Sequence, residues 1–265
     1  MPETKLPFDD PVPTTLGRFP ILQVQGMENN INMLIYAESG VGKTVLCGSA
    51  AAVMDMGPVL FIDVEGGTMS LKDFYPDVQV IRIQTWVDMQ RLVKLLAKGE
   101  HGYKTIVIDS LSECSKLSMQ NVMDDEVASS SREIDPDVPE IRHWGKNIEQ
   151  MRRFVRTMRD LEVNVLFTAL ADKEKDNKGK WQSYPMMPGK LSKEIPGFMD
   201  IVCYYYIKST RKDGNEVKQR LLVSTSTDTA VAKDRSNKLP QVMEEPTMTA
   251  IYEAIIGTSP AKENK

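Results

Sequence analysis

Residues 37–44 read AESGVGKT, preceded by the short apolar run MLIY at 33–36 and followed by an Ala- and Leu-rich stretch reaching residue 56. That order demands a buried strand that turns sharply and becomes a helix. Gly40 and Gly42 open backbone angles closed to other residues, so successive N–H groups can converge on one anion. The helix that follows points its positive end at the same place. Lys43 supplies a charge suited to β- and γ-phosphates, and the Thr44 hydroxyl suits a magnesium ion. Glu38, Ser39, Gly40, Val41, Gly42, Lys43, Thr44 and Val45 are therefore the candidate nucleotide-binding residues, with ATP and Mg²⁺ the expected ligands. The first glycine usual in such a loop is Ala37 here. It is small, and its position need not take a positive φ.

The rest of the chain continues a strand–helix rhythm. Strands are predicted at 33–36, 58–63 (PVLFID), 78–83 (VQVIRI, alternating), 105–109 (TIVID) and 163–168 (VNVLFT). Helices are predicted at 43–56, 87–97, 143–159 and 247–256. Strands alternating with helices give an α/β fold with a mostly parallel central sheet. Near the C-terminus, IVCYYYI at 201–207 and VKQRLLVS at 217–224 flank the turn-like Lys212-Asp213-Gly214-Asn215, which predicts an antiparallel hairpin extending one sheet edge. Residues 1–30, with five prolines, read as an N-terminal arm, 31–257 as the core and 258–265 as a flexible tail. Residues 123–140, acidic and Ser-rich, predict a mobile loop, and 171–193 predict a second long loop that directly follows a core strand.

Composition narrows the class. No apolar run approaches the roughly 18–20 residues that cross a bilayer, and the N-terminus lacks a basic-then-apolar leader. A cytoplasmic protein without membrane contact is the expectation. Cys47, Cys114 and Cys203 are far apart and odd in number, which argues for small core residues rather than disulfides or zinc ligands. Only His101 and His143 are present, so a histidine-rich metal site is excluded. A net charge of −4 excludes coating nucleic acid by bulk charge and leaves only a local basic surface for that purpose.

Two carboxylates complete the chemistry. Asp109 ends the apolar run TIVID and can hold Mg²⁺ through water, although apolar strands also end in Asp simply to turn. Glu65 lies two residues past Asp63, which ends the run PVLFID, where it can polarise the water that attacks a γ-phosphate or serve only as a turn acid.

Taken together, AESGVGKT, FIDVEGG, TIVIDS and VLFTALADKEK resemble the core of RecA-like P-loop ATPases over about residues 30–240. At this length, and with the stretch MMPGKLSKEIPGFMDIVCYYY, the chain is most similar to the phage Sak-type single-strand annealing proteins (the group numbered four), which are RecA cores without large accessory domains. The resemblance implies that Glu65 activates the attacking water. It also implies a basic pair acting on a neighbouring subunit's nucleotide, here Lys233 and Arg235 in AVAKDRSNKLP. A solvated turn is the plain alternative for that pair. The polar sensor that RecA carries after the 163–168 strand is missing, for Ala169 and Leu170 stand there with Thr168 the nearest polar residue.

The same resemblance makes 123–140 and 171–193 the counterparts of loops that hold single-stranded DNA. The second carries Lys173, Lys175, Lys178, Lys180, Lys190, Trp181 and Tyr184, cations for phosphates and rings for bases, as sequence-tolerant single-strand binding needs. A solvated loop whose Trp packs on the domain has the same composition. On the 143–159 helix, Arg152, Arg156 and Arg159 share a face that is either solvated or a subunit contact. The implied function is an ATP-hydrolysing, DNA-dependent recombinase that self-associates into a ring or filament and anneals or pairs strands in phage recombination. A single-strand-binding protein is a further candidate partner. The alternatives are a DnaB-like helicase motor and a nucleotide-gated regulatory ATPase that never meets DNA.

Overall fold

The structure, a computed structural model, describes residues 15–20, 30–175, 179–212 and 215–257. Most of the expected arm, the expected tail, Lys178 and the 213–214 turn lie outside the described residues.

A two-residue pair, β1 (Thr15–Leu16) and β2 (Phe19–Pro20), precedes the main fold. The core begins with β3 (Asn32–Ala37), which runs into α1 (Lys43–Gly48). Next come β4 (Val59–Asp63), β5 (Gln79–Arg82), α2 (Trp86–Leu96) and β6 (Thr105–Asp109). Two long helices follow, α3 (Leu111–Ser129) and α4 (Ile141–Arg159). Then β7 (Asn164–Lys175) and β8 (Trp181–Pro185) pair antiparallel, and α5 (Leu191–Phe198) follows. The chain ends with β9 (Ile201–Lys212), β10 (Asn215–Val223), β11 (Lys233–Asp234), β12 (Val242–Glu244) and α6 (Met248–Ile256).

The main sheet has the order β12-β10-β9-β3-β7-β6-β4-β5, with β11 on β9 and β8 on β7. From β9 to β5 every pairing is parallel, and β10 and β12 add antiparallel neighbours. This is the expected α/β layer with an antiparallel extension on its C-terminal side. β4 and β6 are buried at every position, because helices cover both faces. One face packs Trp86 and Met89 of α2, Cys114 of α3, Phe154 and Met158 of α4 and Ile195 of α5 against the strands. The other packs Leu46 and Cys47 of α1 with Met248 and Ile251 of α6. The three cysteines are buried, and burial raises their thiol pKa values. No helix among the described residues is long and apolar enough to cross a membrane.

Four expectations change. The 43–56 helix stops at Gly48 and continues as a 3₁₀ turn over Ser49–Ala52. Gly48 lies so close under Leu71 that a Cβ there would sit 2.5 Å from it, and the Ser49 hydroxyl bonds back to the Leu46 carbonyl at 2.7 Å while accepting the Met248 N–H at 2.8 Å. Tertiary docking of α6 thus ends the helix where propensity would continue it. The alternating 78–83 run yields an edge strand exposed at all four of its positions, because no described strand pairs beyond it. Residues 123–129 are helical, held by the burial of Val122 and Met123 and by Glu126, which meets Arg142 of α4 at 2.9 Å. And within 171–193, 171–175 end β7, 181–185 form β8 antiparallel to it and 191–193 begin α5, so the described part is mostly regular structure rather than loop. The arginine face of α4 has an intrachain partner as well: Arg152 bonds Glu194 at 2.7 Å and Arg156 stacks on the Phe198 ring at 4.6 Å, both from α5.

Candidate active site

The carboxyl ends of β3, β6 and β4 lie at one edge of the sheet, and the residues that follow them form the site. Ala37 closes β3 fully buried, so the missing first glycine costs nothing in the turn. Gly40 and Gly42 take φ of 76° and 110°, the left-handed values the loop requires. The Gly42 carbonyl accepts the Leu46 N–H at 2.9 Å and starts α1. Lys43 is only 6% exposed and curls back on its own loop, with Nζ 3.3 Å from the carbonyls of Ala37 and Glu38. Burial lowers its pKa, and the charges of Glu65 and Asp109 oppose that shift. An ammonium with three donors, almost buried and held by two long bonds, is fitted to accept an anionic partner.

Asp109 faces this loop although β7 lies between its strand and β3. Its two carboxylate oxygens are divided: Oδ2 accepts the Thr44 hydroxyl at 2.6 Å and Oδ1 accepts the Thr168 hydroxyl of β7. A hydroxyl and a carboxylate oxygen at that separation are hard donors of the kind Mg²⁺ takes, so the residues present fit a magnesium–nucleotide complex. Glu65 is brought to the same edge by main-chain bonds, for the N–H groups of Val64 and Glu65 both donate to the Asp109 carbonyl, at 2.8 and 3.2 Å.

Several functional residues escape the sequence. Asp63, buried beneath Glu65, accepts the Gly66 N–H at 2.7 Å and the Thr68 hydroxyl at 2.9 Å, and so shapes the turn that carries Glu65. That turn is tight against the phosphate loop, since a Cβ on Gly67 would lie 3.8 Å from the Thr44 hydroxyl. The Asp-x-x-Gly spacing of 63–66 was a readable turn signal. Thr168, which stands near the vacant sensor position, is an anchor for Asp109. Arg220 of β10 crosses to the loop and donates through Nε to the Val41 carbonyl at 3.3 Å, with the Tyr205 hydroxyl beside it near Gly42. At a separation of 179 residues, no local signal could have exposed Arg220.

Of the remaining candidates, Lys173 reaches this edge, whereas Lys233 and Arg235 lie apart from it. Lys233 is tied to the end of α5, donating to the carbonyls of Met199 at 2.6 Å and Pro196 at 3.1 Å. Arg235 bonds Asp200 at 2.7 Å. Both sit beside the first residues of β9, level with the start of β3. Along the strand direction Lys233 stands level with Leu34 and Arg235 near Asn32, about 10 and 16 Å short of the end of β3 at ~3.3 Å per residue. Lys173 and Lys175 lie on β7, Trp181 and Tyr184 on β8 with Lys180 just before it, and Lys190 precedes α5. Lys173 meets Glu38 of the phosphate loop at 3.7 Å, Lys180 meets Asp228 at 2.9 Å, and Lys193 covers the Tyr184 ring.

Residues 29–236 match the family described as an AAA domain, which spans most of the chain. The chain belongs to the AAA domain family. This AAA domain is a P-loop ATPase core in which the loop, the Thr44–Asp109 pair and Glu65 meet at one sheet edge. No curated protein matches it. Among solved structures, a prototypical ATPase from the type III secretion system of pathogenic bacteria is similar at 16% identity and a TM-score of 0.41, covering 66% of this chain and 50% of that one. The AAA domain chain thus spans about half the length of that ATPase.

Proposed function

We propose that this protein is an ATP-dependent single-stranded-DNA-binding protein of the RecA-like type, which self-associates and promotes annealing or pairing of DNA strands, as the likeness to the phage Sak-type group implies. The observation that carries the reading is the Glu38–Lys173 pair, which ties the phosphate loop to a hairpin bearing cations and exposed rings. Nucleotide state and strand binding would then share one physical link.

In this reading Lys43 and the N–H groups of 38–45 hold the phosphates, and Thr44 and Asp109 hold the magnesium ion. The ion would neutralise phosphate charge. Glu65 takes a proton from the attacking water, and its main-chain anchor on Asp109 keeps the carboxylate oriented. Thr168 keeps Asp109 turned toward Thr44. Lys233 and Arg235 would serve the nucleotide of a neighbouring subunit, since their own loop is out of reach. Lys173, Lys175, Lys178, Lys180 and Lys190 track phosphates, while Trp181 and Tyr184 meet bases.

Two measurements test the reading. Mixing Glu65→Gln with Arg235→Ala subunits should recover part of the ATPase rate, because one kind of interface then holds both intact groups; no recovery at any ratio would refute the shared site. Filter retention of labelled single-stranded DNA with a slowly hydrolysed ATP analogue should depend on the hairpin lysines. Retention untouched by changing Lys180 and Trp181 to Ala together would favour a regulatory ATPase that does not bind DNA.

A further inference from the structure

A groove of about 800 Å³ opens between the β7–β8 hairpin and strands β9 and β10, on the hairpin side of the phosphate loop. Its walls are aromatic. Tyr204 and Tyr206 stack almost parallel, with centroids 5.5 Å apart and planes 12° apart. Trp181 of β8 lines the same groove, 60% exposed, with the Lys175 ammonium 5.3 Å over its ring. Three large rings left partly wet on one cleft are costly for a surface that binds nothing, because each gives up burial worth kilocalories.

The polar groups point to the class of ligand. Gln182 lies at the groove floor, with its side-chain amide fixed by the Thr227 carbonyl at 2.9 Å and its oxygen taken by the Tyr184 hydroxyl at 2.8 Å. The strand carrying it is held by the buried Tyr36 hydroxyl, which lies 2.6 Å from the Val231 carbonyl and 2.9 Å from the Ser183 carbonyl and shares its one proton between them. The rim on the hairpin side is cationic, with Lys173 and Lys175. A rigid slot of flat rings with cations on one lip matches an unstacked base and its phosphate, and stacking of this kind tolerates any base. A peptide occupant would call for aliphatic pockets or an unpaired strand edge, whereas at the groove β9 is paired on both sides through Tyr204 and β10 from Leu221 to Val223.

We infer that the groove formed by Trp181, Tyr204 and Tyr206 is a nucleobase-stacking site for single-stranded nucleic acid, with Lys173 and Lys175 at its phosphate lip. This rests on the reading that the hairpin meets single-stranded DNA, and it adds the two tyrosines of β9, which no loop on the hairpin contains. Because Lys173 also meets Glu38, a strand seated here would lie one ion pair from the phosphate loop.

The test compares the full chain, with Mg²⁺ and a slowly hydrolysed ATP analogue, for binding to a short oligothymidine and to the same backbone carrying abasic sites. The unsubstituted protein is expected to prefer the base-bearing strand by about tenfold or more, the scale of one stacked base. Tyr206→Leu and Trp181→Leu should erase most of that preference without changing the salt dependence, while Tyr206→Phe, which keeps the ring, should retain it. Melting curves and near-ultraviolet spectra check that the leucine variants are folded. A base preference unchanged in folded Tyr206→Leu would overturn the groove while leaving the hairpin's DNA role intact. No binding of either strand by the unsubstituted protein would overturn both. A change in self-association without a change in base preference would give the groove to a second copy of the chain and overturn the proposal.

Discussion

The parallel half of the sheet and its antiparallel half treat charge in opposite ways. At the carboxyl edge of β3, β6 and β4, Lys43, Asp63, Asp109 and Thr168 are all at most 6% exposed and hydrogen-bonded, Lys43 and Asp63 within their own loops and Asp109 to Thr44 and Thr168 of neighbouring elements. On the β7–β8 hairpin, the side chains of Lys173 and Lys180 are about 60% exposed and meet the exposed carboxylates of Glu38 and Asp228. Buried, mutually bonded groups cannot move without loss, so the first region is pre-organised for chemistry. Exposed pairs are worth little and exchange partners easily, so the second suits a long, variable ligand. The lesson is that one substitution should act very differently in the two halves.

The largest effect is expected at Lys43. Lys43→Ala should lower ATP turnover by more than about a hundredfold, the scale of losing one preorganised charge stabiliser, and should weaken nucleotide binding. Turnover near normal in a steady-state phosphate-release assay would dissolve the contrast. Next comes Asp63, which touches no nucleotide in this account. Asp63→Ala frees the Gly66 N–H and the Thr68 hydroxyl, at a cost of about 1–3 kcal/mol seen in thermal or denaturant unfolding. Because Glu65 rides on that turn, kcat should fall about tenfold or more while KM for ATP changes little. A pure stability loss with kcat intact would mean that the turn does not position Glu65.

These predictions mark what the sequence could and could not reveal. The buried strands were legible because parallel strands covered on both faces are continuous apolar runs, and the loop between β3 and α1 because its glycines and Lys-Thr have few other uses. The hairpin was not legible. The second half of β7 reads ADKEK, which has no apolar face because it runs past the end of β3 and none of its five residues is buried. The early end of α1 follows from Leu71 and the start of α6, and the placing of Arg220 follows from a strand far along the chain; neither leaves a local trace. Lys233 and Arg235 were visible as a basic pair, but their bonds to the end of α5 and to Asp200 are set by tertiary packing.

A smaller effect is expected at Lys233. Lys233→Met removes the ammonium from the carbonyls that end α5 and should cost about 1 kcal/mol of stability, as lost capping bonds do. If it also serves a neighbour's nucleotide, its ATPase loss should exceed that of Arg156→Ala, which loosens α5 from α4 by removing a ring contact. Equal losses would leave Lys233 a helix cap only. The smallest effect is expected at the link between the halves. Glu38→Gln should leave ATP binding within about twofold, in keeping with the small worth of an exposed ion pair. It should reduce any stimulation of the ATPase by single-stranded DNA, read as the ratio of rates with and without the strand. An unchanged ratio would break the coupling between the regions and leave each to be judged alone.

The central claim, that Glu65 makes the phosphate loop a hydrolytic site, is tested most directly by Glu65→Gln. Equilibrium binding of a fluorescent ATP analogue and single-turnover hydrolysis should be measured on the same preparation. Affinity within about threefold of the unsubstituted protein is expected, with a hydrolysis rate lower by about a hundredfold or more, the range for losing a general base. Hydrolysis within about threefold of normal, with binding intact, would contradict it.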